Sequence, residues 1–182
     1  MSPDASGWHP QTRAVRGGLT RSGFDETAEA LYLTSGFVYE SAEQAEAAFK
    51  DEVEHYIYSR YGNPTVTTFE ERMRLLEGAE ACFATASGMA AVFTAMAALC
   101  GAGDRVVSSR ALFGSCFVIL DEILPRWGVE TVFVDGADLG QWREALSVPT
   151  TAVFFETPSN PMQELVDIAA VSELAHAAGA TV

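Results

Sequence analysis

The amino-acid sequence predicts an α/β protein built on a mostly parallel sheet with helices on both faces. Two observations support this class. From residue 64 onward, short apolar runs alternate with segments whose apolar residues recur three or four positions apart, which is typical of βα units. The strand candidates are largely apolar, as expected of parallel strands, which are buried. Residues 1–40 are rich in Gly, Ser and Thr and predict an irregular N-terminal arm.

Capping residues and glycine stops define the predicted helices. Ser41 and Gln44 form a capping-box pattern before a short helix over 42–49. The next helix, which Gly78 stops, has one apolar face formed by Val66, Phe69, Met73 and Leu76. Four further helices are predicted over 88–99, over 117–127 with Pro125 near its end, after the cap Asp138 through Leu146, and over 168–178 with Gly179 as its stop.

Strands are predicted where short apolar runs lie between turn residues. They cover 81–85, 105–108, 129–134 and 151–155, and another begins at 180–182. The aromatic stretch 56–61 is also predicted to be extended, up to the break at Gly62-Asn63-Pro64. Because the sequence stops as a strand begins, the sheet is incomplete, and we expect these 182 residues to be a fragment.

Composition excludes several classes of function. The 25 Asp and Glu residues outnumber 11 Lys and Arg residues, for a net charge of −14, which argues against binding nucleic acid or anionic membranes. Residues 81–103 carry no charge but are mostly small, so they predict a buried strand and helix rather than a membrane span. Cys82, Cys100 and Cys116 show no C-x-x-C pattern, which predicts reduced thiols in a cytoplasmic protein and no metal site.

The first candidate binding motif is Ala84-Thr85-Ala86-Ser87-Gly88-Met89, where a small-residue turn leads into an Ala-rich helix. Helix N-termini present free N–H groups and a partial positive charge, so they bind phosphate. Gly88 lets an anion approach the backbone closely. The same residues also suit a turn in which Ser87 only caps the helix, and both interpretations remain open at this point.

The second motif is Tyr58-Ser59-Arg60. In an extended segment, side chains two positions apart share a face, so the phenol of Tyr58 and the guanidinium of Arg60 are expected to point together. A hydroxyl donor beside a charged fork suits a phosphate group. The alternative is a surface arginine beside a packed tyrosine.

The third motif is Glu156-Thr157-Pro158-Ser159-Asn160-Pro161, directly after a predicted buried strand. Ligand sites in open α/β sheets lie beyond the carboxyl ends of the strands. Two prolines restrict the loop, one X-Pro bond is a candidate for the cis form, and Asn160 is expected to be held at the site. The alternative is an ordinary turn.

Together, the three motifs resemble the Cys/Met-metabolism family of pyridoxal-phosphate (PLP)-dependent enzymes. The resemblance rests on residues 58–65, 86–91 and 156–161, with Asp167-Ile168 and the 175–179 stretch, and runs from about Thr20 to Val182. It implies PLP as cofactor and the three-layer sheet of the fold-type I PLP transferase large domain. It also implies two regions: an arm and inter-subunit segment over 1–60, and the first part of the PLP-binding large domain over 61–182, without the rest of that domain or the C-terminal domain.

The resemblance implies a role for each motif. Ser87 is expected to cap a helix whose Gly88 and Met89 amides hold the cofactor phosphate. Tyr58 and Arg60 are expected to reach the phosphate of the cofactor in a neighbouring subunit, which makes a homo-oligomer part of the site.

Two further residues are expected to contact the cofactor ring. Phe113 occupies the position where many family members have a tyrosine that stacks over the pyridine ring; phenylalanine keeps the stack and lacks the hydroxyl. Asn160 is expected near the phenolic oxygen of the cofactor.

Within the family, Phe113 and the stretch 164–168 make the chain most similar to the O-succinylhomoserine sulfhydrylases. This similarity implies a γ-replacement in methionine biosynthesis, in which O-succinylhomoserine and sulfide give homocysteine and succinate. The alternatives in the same family are cystathionine γ-synthase and the γ-lyases.

The 182 residues do not include the family's Schiff-base lysine, expected in a Ser-x-x-Lys context, or its pyridinium-pairing Asp. Lys50 is the only lysine and lies beside Asp51 and Glu52, so we expect a solvated surface side chain and no catalytic residue in this chain. The fragment alone is therefore expected to be inactive. Two other hypotheses remain: a truncated product without a stable fold of its own, and a non-catalytic chain that lends Tyr58 and Arg60 to a full-length relative.

Overall fold

The computed structural model describes Ala5 and residues 7–182. The chain forms two compact units: the first runs to Ala84 and the second from Thr85 to Val182. Within the described part of the chain, no helix is both long enough and apolar enough to cross a membrane.

The first unit contains three helices, α1 (Pro10–Arg16), α2 (Ala42–Phe49) and α3 (Pro64–Glu77). The sequence predicts α2 and α3 correctly. The Ser41 hydroxyl accepts a hydrogen bond from the N–H of Gln44 at 3.1 Å and caps α2. Gly78 ends α3 in the left-handed conformation, with φ of 67°, which a residue without Cβ adopts at little cost.

Helix α1 lies in the region for which the sequence predicts only an irregular arm. It begins at Pro10, with His9 as its cap, and it contacts α3. The Arg13 guanidinium donates to the carbonyl of Leu75 at 3.5 Å, and the Arg72 guanidinium donates to the carbonyl of Gly17 at 3.1 Å. A helix of this length is marginal alone, so these tertiary contacts explain why it forms.

The predicted strand over 81–85 is absent from the structure, and this prediction is wrong. The segment has no regular secondary structure, and Phe83 is 88% exposed. The N–H of Ala84 donates to the Glu70 carboxylate at 2.7 Å rather than to a neighbouring strand. An apolar run becomes a strand only where a partner strand receives its backbone groups.

The second unit is a three-layer α/β arrangement. Its sheet has three parallel strands, β1 (Arg105–Ser109), β2 (Glu130–Val134) and β3 (Ala152–Phe154), in the order β2-β1-β3. These are three of the predicted strands, and Thr181 adds a single parallel bridge to β3 at Ala152. The helices of this unit are α4 (Gly88–Leu99), α5 (Gly114–Val118), α6 (Leu139–Ala145) and α7 (Ile168–Ala177).

Alternate side chains of the central strand enter two separate apolar cores. Val106 joins the core formed with α4, α5 and the residues that follow α5, whereas Val107 joins the core formed with α6 and α7. Both valines are fully buried. Because neighbouring side chains of a strand point to opposite faces, the sheet is covered on both sides, as the sequence predicts.

The helical segment predicted over 117–127 begins three residues earlier and changes its winding. Helix α5 continues into a π-helical turn over Ile119–Ile123 and then a 3-10 turn over Leu124–Trp127. The Thr131 hydroxyl of β2 donates to the carbonyl of Leu120 at 2.8 Å. This bond satisfies one carbonyl of the π-helical turn from the neighbouring strand.

Candidate functional site

The N-terminus of α4 matches the first predicted motif. The Ser87 hydroxyl accepts a hydrogen bond from the N–H of Ala90 at 3.1 Å, and the Ser87 carbonyl accepts from Ala91 at 3.0 Å. The N–H groups of Gly88 and Met89 have no partner among the described residues. A serine cap that leaves two amides free is a suitable donor set for a phosphate group, which the positive end of the helix dipole also favours.

The space in front of these amides is open. Gly88 is exposed, and a Cβ built at this position meets no atom within 4 Å. A larger side chain would therefore fit without displacing the protein, but it would occupy the space in front of the free N–H groups. This geometry fits a phosphate that approaches the backbone closely.

Phe113 lies between β1 and α5, beyond the carboxyl end of the central strand. The residue is 42% exposed, although it is a large apolar side chain. Its backbone N–H donates to Oε1 of Glu156 at 2.9 Å, across 43 residues of sequence. The backbone that carries the ring is thereby tied to the segment that follows β3.

The loop after β3 is closed by hydrogen bonds among its own residues. Ser159 is buried; its N–H donates to the carbonyl of Glu164 and its hydroxyl accepts from the N–H of Glu164, both at 3.0 Å. The Thr157 hydroxyl accepts from the N–H of Val166 at 3.1 Å. The sequence indicates one candidate cis bond here; both X-Pro bonds, before Pro158 and before Pro161, are cis.

Asn160 is at the exposed tip of this loop. Its backbone N–H donates to Oε2 of Glu156 at 3.2 Å. Phe113 and Asn160 are thus attached to the two oxygens of one carboxylate. Because β1 and β3 are parallel neighbours, the loops that follow them emerge at the same edge of the sheet, where open α/β sheets bind ligands.

Glu156 has no role in the sequence-based predictions, although it is the first residue of the third motif. It is the second residue after β3 and partly buried. Its position could have indicated a role, because it is a carboxylate at the carboxyl end of a predicted strand, next to a loop with two prolines. Its two partners lie on different segments, and the sequence gives no direct indication of the pairing with Phe113.

Cys116 connects this carboxylate to the start of α4. Its Sγ lies 4.0 Å from Sδ of Met89. Burial of the thiol, and next its hydrogen bond and charge interaction with Glu156, raise the pKa of Cys116 to about 11. The structure therefore places Cys116 against Met89, and it bonds Phe113 and Asn160 to Glu156, whose charge acts on the Cys116 thiol.

Tyr58 and Arg60 belong to the first unit, and the extended conformation predicted over 56–61 is wrong for the residues after Tyr58. Tyr58 forms an antiparallel bridge with Gly36, and the next three residues form a turn in which the N–H of Tyr61 donates to the carbonyl of Tyr58 at 2.8 Å. The expected proximity is nevertheless present. The guanidinium of Arg60 lies 5.1 Å from the centroids of both the Tyr58 and Tyr61 rings, within the range of cation–π attraction.

Lys50 is a surface residue, as predicted. It ends α2, its side chain is 55% exposed, and it pairs with the Glu46 carboxylate one helical turn earlier. A lysine that carries a cofactor is normally desolvated to lower its pKa, and Lys50 is not in such an environment. In the described part of the chain, no group of three or more His, Cys, Asp or Glu side chains is placed to hold a metal ion.

Comparison with known proteins identifies relatives along most of the chain. It is 75% identical to an O-succinylhomoserine sulfhydrylase of Mycobacterium tuberculosis over 94% of its own length and 42% of the relative's. It is 48% identical to an O-succinylhomoserine sulfhydrylase of Pseudomonas aeruginosa over 99% of its own length and 45% of the relative's length. The chain therefore spans less than half the length of these relatives.

The fold agrees with a solved structure. The chain superposes with a TM-score of 0.87 on a protein of Campylobacter jejuni described as an O-acetylhomoserine (thiol)-lyase, which carries a pyridoxyl-lysine phosphate group. The two sequences are 29% identical, and the superposition covers 96% of this chain and 43% of that one. The family model for Cys/Met metabolism PLP-dependent enzymes matches residues 11–182. Since this match covers nearly the whole sequence, the chain belongs to the Cys/Met-metabolism family of PLP-dependent enzymes.

Proposed function

We propose that the protein containing these residues catalyses a γ-replacement that converts O-succinylhomoserine and sulfide into homocysteine and succinate. The observation that carries the proposal is the 75% identity to an O-succinylhomoserine sulfhydrylase along 94% of the chain. Two features of the structure support it: the free amides at the start of α4, and the loops of Phe113 and Asn160, which both bond to Glu156. Together they suit a ligand with a phosphate at one end and a planar ring at the other.

In this proposal the residues of the second unit bind and orient PLP. The Gly88 and Met89 amides hold its phosphate, with Ser87 keeping the helix start in place. The exposed Phe113 ring stacks on the pyridine ring, and Asn160 lies beside the phenolic oxygen. PLP held here would supply an electron sink that favours the loss of protons from Cα and Cβ and of succinate from Cγ of the amino-acid substrate.

The first unit contributes to a second copy of the protein. We propose that Tyr58 and Arg60 reach the phosphate held by a neighbouring subunit, so that the active form is a homo-oligomer. Arg60 is exposed and has aromatic contacts but no carboxylate bond among the described residues, which leaves its positive charge available to an anion. We place the protein in the cytoplasm, where the unpaired Cys100 and Cys116 remain reduced.

The cofactor-bearing lysine of the family is not among the 182 residues, and Lys50 is unsuited to the role. We therefore propose that this chain supplies the phosphate-binding and ring-stacking part of the site, and that turnover needs a lysine outside it. Sequencing the gene through and beyond the codon for Val182 tests this point directly. An open frame that encodes a Ser-x-x-Lys segment supports it.

The activity test uses the protein at its natural length, with PLP and O-succinylhomoserine. Equal amounts of homocysteine and succinate, formed only when sulfide is added, support the proposal. Cystathionine formed from added cysteine indicates a cystathionine γ-synthase instead. Ammonia and a 2-oxo acid formed without any added thiol indicate a γ-lyase.

A second candidate is a non-catalytic chain that pairs with a full-length relative. Two observations favour it: the only lysine, Lys50, is exposed and paired with Glu46, and Arg60 has no carboxylate partner among the described residues. In this case the 182-residue chain, mixed with such a relative, raises the activity of the relative. The same increase with an Arg60→Ala chain counts against this role.

A further inference from the structure

We propose that Glu156 is a positioning residue that sets the placement of the Phe113 ring relative to the Asn160 side chain. This inference rests on the proposed function, in which both residues contact PLP. It concerns a residue that does not touch the cofactor in that proposal and acts through two others.

The Glu156 carboxylate bonds to two separate loops. Oε1 accepts the N–H of Phe113 at 2.9 Å, and Oε2 accepts the N–H of Asn160 at 3.2 Å. Each oxygen therefore has its own donor, on its own loop. A change in the position of Glu156 moves both loops, whereas no other side-chain hydrogen bond of the described chain joins the backbones of these two residues.

The residue that precedes Glu156 is packed against the apolar core. The preceding residue, Phe155, packs edge-on against Trp142, with ring centroids 6.2 Å apart. Trp142 is fully buried, and its indole N–H donates to the carbonyl of Gly136 at 3.1 Å. A carboxylate two residues beyond the sheet is thus held by the apolar core of the second unit rather than by a mobile loop.

The two hydrogen bonds of Glu156 require a carboxylate. Only a carboxylate accepts hydrogen bonds on both of its terminal atoms; a glutamine of the same shape accepts on one and donates on the other. Both partners of Glu156 are N–H donors. A glutamine here would therefore place its own NH₂ donor against one of these N–H groups. Hydrogen bonds to a charged acceptor are also stronger than those to a neutral one. The site therefore specifically needs the acid.

The experiment compares two ligands in the protein at its natural length. PLP needs both the phosphate site and the ring site, whereas inorganic phosphate needs only the phosphate site, to which the amides at the start of α4 belong. We expect Glu156→Gln to weaken PLP binding about tenfold or more and to reduce the circular dichroism band of the bound cofactor. Inorganic phosphate, measured by phosphorus NMR line broadening, should bind with unchanged affinity. Glu164→Gln, in the same loop, is the matched control and should change neither ligand, because Glu164 closes the loop through its backbone.

The outcomes separate this inference from the proposed function. Unchanged PLP affinity in Glu156→Gln, or an equal loss for both ligands, overturns the positioning role. If Glu156→Gln does not fold, Glu156→Asp decides by the same comparison, since it keeps both acceptors on a shorter stem. If neither variant folds, Glu156 serves the fold and the inference is overturned. A parent protein that binds phosphate but not PLP contradicts the proposed function itself.

Discussion

The guanidinium of Arg60 lies 5.1 Å from the centroid of the Tyr58 ring, although the chain turns between the two residues. The two side chains come together through cation–π attraction rather than by sharing the face of an extended strand. The same guanidinium is equally close to Tyr61. Arg60 therefore contacts two aromatic rings, and Nη2 donates to the Tyr61 hydroxyl at 3.5 Å, while its other N–H groups remain available to an anion.

The role of Arg60 in phosphate binding can be separated from its role in the fold. We expect Arg60→Ala to weaken PLP binding in the oligomer while the thermal midpoint stays close to that of the parent, because the side chain is exposed. Arg60→Lys should restore only part of the affinity, since an ammonium lacks the planar fork. The measurements are PLP titration and thermal unfolding. A large loss of thermal stability in Arg60→Ala would show that the Arg60 side chain mainly stabilises the fold through its aromatic contacts, and would contradict a main role in anion binding.

The Ser87 cap should contribute to stability independently of the ligand. We expect Ser87→Ala to lower the free energy of unfolding by about 1 kcal/mol, because the N–H of Ala90 loses its acceptor. Ser87→Asp keeps the cap and the stability, but it places a negative charge beside the phosphate. Denaturant unfolding and phosphate binding should therefore respond differently in the two variants. Equal phosphate affinity in Ser87→Asp and the parent would place the anion elsewhere.

Gly88 should tolerate a side chain structurally but not functionally. We expect Gly88→Val to leave the free energy of unfolding unchanged or slightly higher, because a Cβ there meets no atom within 4 Å and glycine is a poor helix residue. The valine side chain should nevertheless block the free amides and reduce affinity for inorganic phosphate. Gly23→Val is the control, since Gly23 is equally unobstructed and lies outside the site. Phosphate affinity that stays the same in both variants would contradict the site.

The Cys116 thiol gives the fold a dependence on alkaline pH. Burial, and next the Glu156 carboxylate, raise the pKa of Cys116 from 9.0 to about 11. Its stabilising contribution is fully present well below pH 9, where the thiol is neutral in both states. Between about pH 9 and 11 the unfolded chain releases a proton that the folded chain keeps, so this contribution decreases as pH rises, by at most about 3 kcal/mol.

Denaturant unfolding at several pH values tests this linkage. The free energy of unfolding should decrease more steeply between pH 9 and 11 in the parent than in Cys116→Ala, which has no thiol to titrate at this position. The comparison removes the contributions of other groups that ionise in the same range. Equal slopes in the two proteins would mean that the thiol is not held in its neutral form by the fold.

The features predicted most closely from sequence are those with local causes. Helix α4 has the predicted bounds, Gly88–Leu99, because a serine cap precedes it and small helix-forming residues fill it. The predicted strands at 105–108, 129–134 and 151–155 match the observed strands to within one or two residues at each end, since turn residues border each apolar run. Both kinds of signal lie within a few residues of the element that they define.

The features that were predicted wrongly, or not predicted at all, depend on residues that are distant in the sequence. The run at 81–85 has strand composition, but the N–H of Ala84 bonds to the Glu70 carboxylate rather than to a neighbouring strand. Helix α1 has an unusual cap in His9 and depends on contacts with α3. The hydrogen bond between the N–H of Phe113 and the Glu156 carboxylate joins residues that are 43 positions apart in the sequence. No local pattern of residues contains these partners, so they become visible only when the chain is folded.

The carboxylate of Glu156 has a consequence for the solvent accessibility of the loops. The N–H groups of Phe113 and Asn160 lie outside the strands, where backbone amides normally exchange quickly with water. Here each is hydrogen bonded to a fixed acceptor, so both should exchange as slowly as amides of regular structure, even without ligand. The loops at the edge of the sheet are therefore ordered during folding, and a ligand that binds there loses little affinity to the cost of ordering them.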